Sequence, residues 1–175
     1  MKIQSGIYKN HPLKAPKSNK TRPTSSKIRG SVFDILQNQI EGAHFLDVFA
    51  GSGSMGLEAL SRGASDATFI EQAKIAAQCI RENLKSLKVQ ARLFQQDAKI
   101  ALKRLAKENA HFDIIYLDPP YDLDITPVLE LIPPLLSPDG IAILEQSSKA
   151  NIDFQELKKT EERKFGDTTL HLYLK

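Results

Sequence analysis

A chain of 175 residues, 41% hydrophobic and 26% charged, has the size and balance of one globular domain with a full core. Its apolar runs fall short of the roughly 18 residues a membrane span needs, and the N-terminus lacks the apolar stretch of a signal peptide, which points to the cytoplasm. The formal charge of +3 is unevenly spread: residues 1–30 hold eight Lys and Arg and no acid, leaving 16 basic against 21 acidic residues in the rest.

Residues 1–21 show no helical period and read as a basic arm or hairpin, set before a single domain over 22–175. A basic arm on a slightly acidic body suits contact with a polyanion on one side, and Lys9, Lys14, Lys17, Lys20, Arg22, Lys27 and Arg29 are the candidate phosphate contacts. Thr24, Ser25 or Ser26 would cap a helix with Ile28, Val32, Ile35, Leu36 and Ile40 on one face. Gly30 inside that helix costs about 1 kcal/mol relative to alanine, which suggests a close approach there.

From Ala43 strands and helices alternate. Strands are predicted over 44–50, 66–71, 89–95, 112–117 and 140–146, and helices over 54–62, 73–87, 98–109 and about 124–136. Cys79 lies on the second of these helices beside Ile75, Ile80 and Leu84 and reads as a small core residue; as the one cysteine it excludes a disulfide framework. Pro127, Pro133 and Pro134 weaken the last helix. Near-continuous apolar strands between amphipathic helices imply a doubly wound, mostly parallel α/β sheet with helices on both faces. After residue 150 the pattern becomes a turn at Phe165 to Thr168 and an alternation of Leu170, Leu172 and Leu174, an antiparallel hairpin.

The first strand runs into Gly51, Ser52, Gly53 and Gly56, a G-x-G-x-x-G turn opening a helix. Glycines let the backbone approach a ligand, and the helix N-terminus offers N–H donors to an anion. Glu71 stands twenty residues beyond Gly51, the spacing of a carboxylate that binds ribose hydroxyls. Phe49 near the end of the first strand, and Gln72, Asp97, Ala98 and Asp118 after later strands at the same sheet edge, complete the candidate cofactor set, with Asp97 also placed to cap a helix. Asp47 would repel a pyrophosphate but suits an ammonium group, so S-adenosylmethionine fits better than a dinucleotide.

Asp118-Pro-Pro-Tyr121 is the most specific signal. Two prolines stiffen the loop and remove two N–H donors, which leaves its carbonyls to face a ligand. Asp118 and the Pro119 carbonyl would accept from an exocyclic amine of a base, Pro120 would hold the loop, and Tyr121 would stack on the base. Positioning of the amine, more than strong base chemistry, would then carry the rate. The four histidines, His11, His44, His111 and His171, show no ligand spacing, so no metal is expected.

With these motifs in place the chain resembles the amino-methyltransferases of the Rossmann-like, class I S-adenosylmethionine-dependent group. More narrowly, Arg22-Pro-Thr24, Lys27-x-Arg29, Val32-Phe33, the segment Leu46 to Gly53, Gly56 to Ala59, Ser61 to Ala64 and Asp118 to Tyr121 resemble the RsmD family. That resemblance implies a seven-stranded sheet and methyl transfer to the N2 amine of a guanine in bacterial 16S rRNA. It also implies 16S rRNA or an assembling small ribosomal subunit as partner, for a protein expected to be a monomer. It places cofactor roles on Asp47, Gly51, Gly53, Glu71 and Asp97, and target-amine roles on Asp118, Pro119 and Tyr121. Gly30 departs from the larger, often acidic residue expected after K-x-R. Two alternatives stay open: a DNA or other amino-methyltransferase with the same loop, and a non-catalytic RNA-binding protein on a relict cofactor fold. The chain is short for a separate DNA-reading domain.

Overall fold

The computed structural model describes residues 1–16, 26–150, 152–154 and 156–175. Among them α1 (Ser26–Ile35) is followed by β1 (His44–Val48), α2 (Ser54–Ser61), β2 (Asp66–Ile70), α3 (Lys74–Leu87), β3 (Arg92–Phe94) and α4 (Ala98–Lys107). Then come β4 (Phe112–Leu117), α5 (Thr126–Leu129), β5 (Leu136–Ser147), β6 (Lys158–Phe165) and β7 (Thr168–Leu174). The seven strands form one sheet in the order β3-β2-β1-β4-β5-β7-β6. The first five are parallel, and β7 inserts antiparallel between β5 and β6.

Strand alternation sorts the core into two layers. Phe45, Phe69, Ile114, Tyr116 and Ile143 point to one face and pack with α1, α2 and α3. Leu46, Val48, Ile70, Ile115, Leu117 and Leu144 point to the other and pack with α4, α5 and the segment around Leu135. The doubly wound sheet and its C-terminal antiparallel hairpin are those expected from the sequence.

Several local expectations give way. Residues 124–136 form no continuous helix: α5 has four residues, and Pro133 to Leu135 make a 3-10 turn. Pro133 and Pro134 have no N–H for the helical ladder. Strand β3 shrinks to three residues because Lys88 takes a left-handed conformation and the Val89 N–H bonds the Leu84 carbonyl, so that residue closes α3 instead. Cys79 is half-buried and lies outside the core, and neighbouring Ile75 is exposed. Among the described residues, a Cβ added at Gly30 would meet only the Gln4 side chain, at 3.8 Å, so none of them makes the close approach expected there.

The largest departure is at the N-terminus. Residues 1–16 do form a hairpin, bridged at Lys2 and Pro12, but it is docked on the body and shares its core. Ile3 and Leu13 are buried with α1 and α2 residues. The backbone N–H groups of Gln4 and Ser5 donate to the two oxygens of Glu58 on α2 at 2.8 and 3.0 Å. Glu58 is fully buried and also pairs with Arg62 at 2.8 Å and Arg29 at 3.6 Å. The Gly6 backbone lies so close to Ser61 that a Cβ there would fall 1.7 Å from the Ser61 carbonyl oxygen. The domain core therefore begins at Ile3, and the hairpin is part of it rather than an arm ahead of it.

Candidate functional site

The glycine turn at the end of β1 is built from left-handed residues. Phe49, Gly51 and Gly53 have φ of 64°, 55° and 78°. Two of the three are glycines, which adopt this conformation freely; Phe49 does so at a cost of about 1–3 kcal/mol. Gly56 serves packing, since a Cβ there would lie 2.4 Å from the Phe69 ring on β2. This brings the first turn of α2 down onto β1, where the Gly56 N–H donates to Asp47 Oδ2 at 2.9 Å.

Asp47 is thus a buried group that ties strand to helix, and it does not line the cavity described below. Predicted from the sequence to face a ligand ammonium, its carboxylate is engaged here by the Gly56 N–H. Burial pushes its carboxyl up to about 7; the Gly56 hydrogen bond opposes that rise, and the nearby Glu71 adds to it. Ser52 and Gly53 also lie outside the cavity lining; Ser52 instead gives its carbonyl to Asn83 Nδ2 at 3.1 Å.

At the carboxyl edge of the sheet lies a cavity of about 490 Å³. It brings together Phe49, Gly51, Glu71, Gln72, Asp97, Ala98, Asp118, Pro119, Pro120 and Tyr121, ten of the predicted cofactor and catalytic residues. This is where open α/β sheets bind ligands. Glu71, just past β2, accepts from the Gly51 N–H at 2.8 Å and the Ala73 N–H at 2.7 Å, so it locks the glycine turn to the neighbouring strand. Its pKa is raised by burial, and those two hydrogen bonds pull it down. Asp97 caps α4 by accepting from the Lys99 N–H at 2.9 Å. The two carboxylates, one after β2 and one after β3, share the cavity wall, and the exposed Tyr121 stands at the mouth.

Sequence reasoning missed Ile28, Thr168 and above all Glu145, which also line the cavity. Glu145 is buried on β5 and accepts a hydrogen bond from the Tyr116 hydroxyl. The available signal was its place at the carboxyl end of the fifth parallel strand, the same rule that picks out Glu71, Asp97 and Asp118.

The basic candidates divide. Arg29 is 2% exposed, donates to the Lys2 carbonyl at 2.8 Å and faces Glu58, so it holds the hairpin and cannot reach an external phosphate. Lys14 is exposed but paired with Glu82 at 2.8 Å. Lys9 and Lys27 are exposed, with Lys27 6.0 Å from the Phe165 ring centroid. Lys17, Lys20 and Arg22, with the capping candidates Thr24 and Ser25, lie outside the described residues.

The strand order, the glycine turn and the cavity at the parallel strands' carboxyl ends define the Rossmann-like class I methyltransferase fold. Within that class, the chain belongs to the family described as Conserved hypothetical protein 95, matched over residues 1–174. It is 35% identical over its full length, and over 99% of the relative's, to a Bacillus subtilis protein named "Putative rRNA methyltransferase YlbH". It is 36% identical to the Haemophilus influenzae ribosomal RNA small subunit methyltransferase D over 71% of this chain and 66% of that one. A solved structure of a hypothetical protein from Thermus thermophilus superposes with a TM-score of 0.88 at 27% identity, covering 100% of this chain and 99% of that one. The family resemblance read from the motifs is borne out.

Proposed function

We propose that this protein transfers a methyl group from S-adenosylmethionine to the exocyclic N2 amine of a guanine in the 16S rRNA of the small ribosomal subunit. The observation that carries this reading is that the Asp118-Pro119-Pro120-Tyr121 loop faces the same cavity as the carboxylates of Glu71 and Asp97. One side would hold an adenosyl group and the other a base amine. Relatives named as rRNA methyltransferases over most of the chain support the RNA class.

S-adenosylmethionine, when bound, supplies an electrophilic sulfonium methyl group. Glu71 and Gly51 would bind its ribose side, with Asp97 and Ala98 on the adenine side. Asp118 and the Pro119 carbonyl would accept from the target amine, aim its lone pair at that methyl group, and offset the positive charge that nitrogen would carry until its surplus proton leaves to water. Tyr121, exposed at the mouth, stacks on a base flipped from the RNA. Lys9 and Lys27, with the basic residues between them in sequence, hold the flanking phosphates.

The test is radiolabelled methyl transfer to small subunits, free 16S rRNA and duplex DNA, followed by nucleoside analysis. N2-methylguanosine from the ribosomal substrates is expected, and label only in DNA would overturn the reading. Asp118→Ala should leave S-adenosylmethionine affinity nearly intact while methyl transfer falls about 10²-fold or more. Isothermal titration should show binding of S-adenosylmethionine and none of NAD, with Glu71→Ala weakening the former by about 1–3 kcal/mol.

A further inference from the structure

We propose that Glu145 selects the base: its carboxylate accepts from the N1–H of a guanine whose N2 amine lies against Asp118 and Pro119. The inference rests on the guanine-N2 reading of the cavity and names the group that would decide it.

Three observations place Glu145 for this role. The parallel pairing of Leu117 with Leu144 brings Asp118 and Glu145 side by side, one residue further along β4 and β5. Both residues line the one cavity. Glu145 is buried on the same face of the sheet as Tyr116, whose hydroxyl donates to Glu145 Oε2. Burial raises the Tyr116 pKa well above its ordinary value, and Glu145 and Asp118 beside it raise it further, so the phenol stays protonated and acts only as a donor to the acid. A carboxylate at a cavity wall carries a desolvation cost that an apolar residue there would not. A contact with substrate would offset that cost.

The chemistry of the bases gives one. Asp118 and Pro119 accept from an amine, and guanine, adenine and cytosine each carry one. What differs is the neighbouring ring nitrogen. In guanine it is N1–H, a donor; in adenine N1 and cytosine N3 it is a lone pair. A carboxylate beside the amine site attracts the first and repels the other two, so the same residue favours one base and acts against its competitors. Tyr116, by fixing one carboxylate oxygen, is a positioning residue for that contact.

The experiment uses the full-length protein, with small subunits reconstituted on unmodified 16S rRNA transcript as substrate and GMP, AMP and 1-methyl-GMP as competitive inhibitors. The wild type should be inhibited at least about 10-fold better by GMP than by AMP or 1-methyl-GMP. In Glu145→Gln the Tyr116 hydroxyl takes the amide oxygen and turns the NH2 toward the base, where it opposes N1–H and suits a lone pair. kcat/KM on subunits should fall about 10- to 100-fold, and the preference for GMP over AMP should vanish or invert. Tyr116→Phe should lower the same preference by a smaller factor and raise KM more than it lowers kcat. S-adenosylmethionine binding reports folding of each variant, and a preference lost in either variant that binds the cofactor normally supports the inference. An unchanged preference in the variants that bind it overturns the role of Glu145, with wild-type N2-methylguanosine formation left standing. Wild-type label on another base or atom overturns the parent reading and this one together.

Discussion

Replacing Glu58 should expose how much of the fold's stability passes through one carboxylate. Its two oxygens accept from Gln4 and Ser5 N–H groups at 2.8 and 3.0 Å and from Arg62 Nε at 2.8 Å, and Arg29 Nε lies 3.6 Å away. Glu58 has no solvent exposure, and burial pushes the Arg29 pKa down against the pull of Glu58, with Arg62 adding to the fall. In Glu58→Gln the single amide oxygen can serve at most part of this donor set, and the NH2 opposes the rest. Hydrogen bonds to a charged group contribute about 1.5–3 kcal/mol each. Breaking a buried ion pair from one side costs about 3–5 kcal/mol. A loss of about 3–5 kcal/mol is a fifth or more of a typical domain's stability of roughly 5–15 kcal/mol. Urea denaturation would read it as a fall in midpoint at constant slope, and hydrogen exchange at the Ile3 and Asn10 amides would show whether the hairpin opens first. A loss below about 1 kcal/mol would refute the reasoning, because it would mean that the hairpin's anchor is satisfied equally well by a neutral amide.

Removing residues 1–16 should destabilise the protein, since Ile3 and Leu13 alone bury side chains worth about 1.5–3 kcal/mol each; a shortened chain with unchanged thermal melting would contradict the shared core. The same cut should weaken S-adenosylmethionine binding in a titration, because Asn83 bonds both the Lys14 backbone and the Ser52 carbonyl of the glycine turn. Gly56→Ala should cost about 1–3 kcal/mol in denaturant melts, as its Cβ must displace Phe69. Asp47 binds its proton more tightly folded, about 7 against an ordinary 3.8, so the stability it contributes below pH 4 is lost as pH rises through 7. Asp47→Asn keeps an acceptor for Gly56 and should therefore be more stable than wild type above pH 7, by about 4 kcal/mol at most, with a flatter profile between pH 4 and 7. Parallel stability profiles for the two proteins would refute this.

Local pattern made the βα alternation legible, because each strand's apolar run and each helix's stripe are written within a dozen neighbouring residues. The turn and loop motifs were legible for the same reason. What lay out of reach depended on partners far along the chain. Arg29 looks like a surface base until Glu58, brought beside it by α2, neutralises it in the interior. Ile3 and Leu13 have no period to mark them as core, since a hairpin residue becomes buried through what it docks on. Asp47 was recognised as special, but its partner, the Gly56 N–H, is a backbone group and leaves no trace in composition. Glu145 sits at the end of an apolar strand and belongs to no short motif; only the pairing of β4 with β5 sets it beside Asp118.

Strand β7 sits deep in the sheet although it follows both of its partners in sequence. Thr168–Leu174 lies between β5 and β6 and pairs antiparallel with each. Until β7 docks, β5 has one unsatisfied edge, and among the described residues β6 has no strand beside it. The wall that carries Glu145 therefore closes only with β7 in place. A chain cut before Thr168 would leave an open, apolar strand edge available to other chains, and such fragments should aggregate rather than persist with a partly formed cavity.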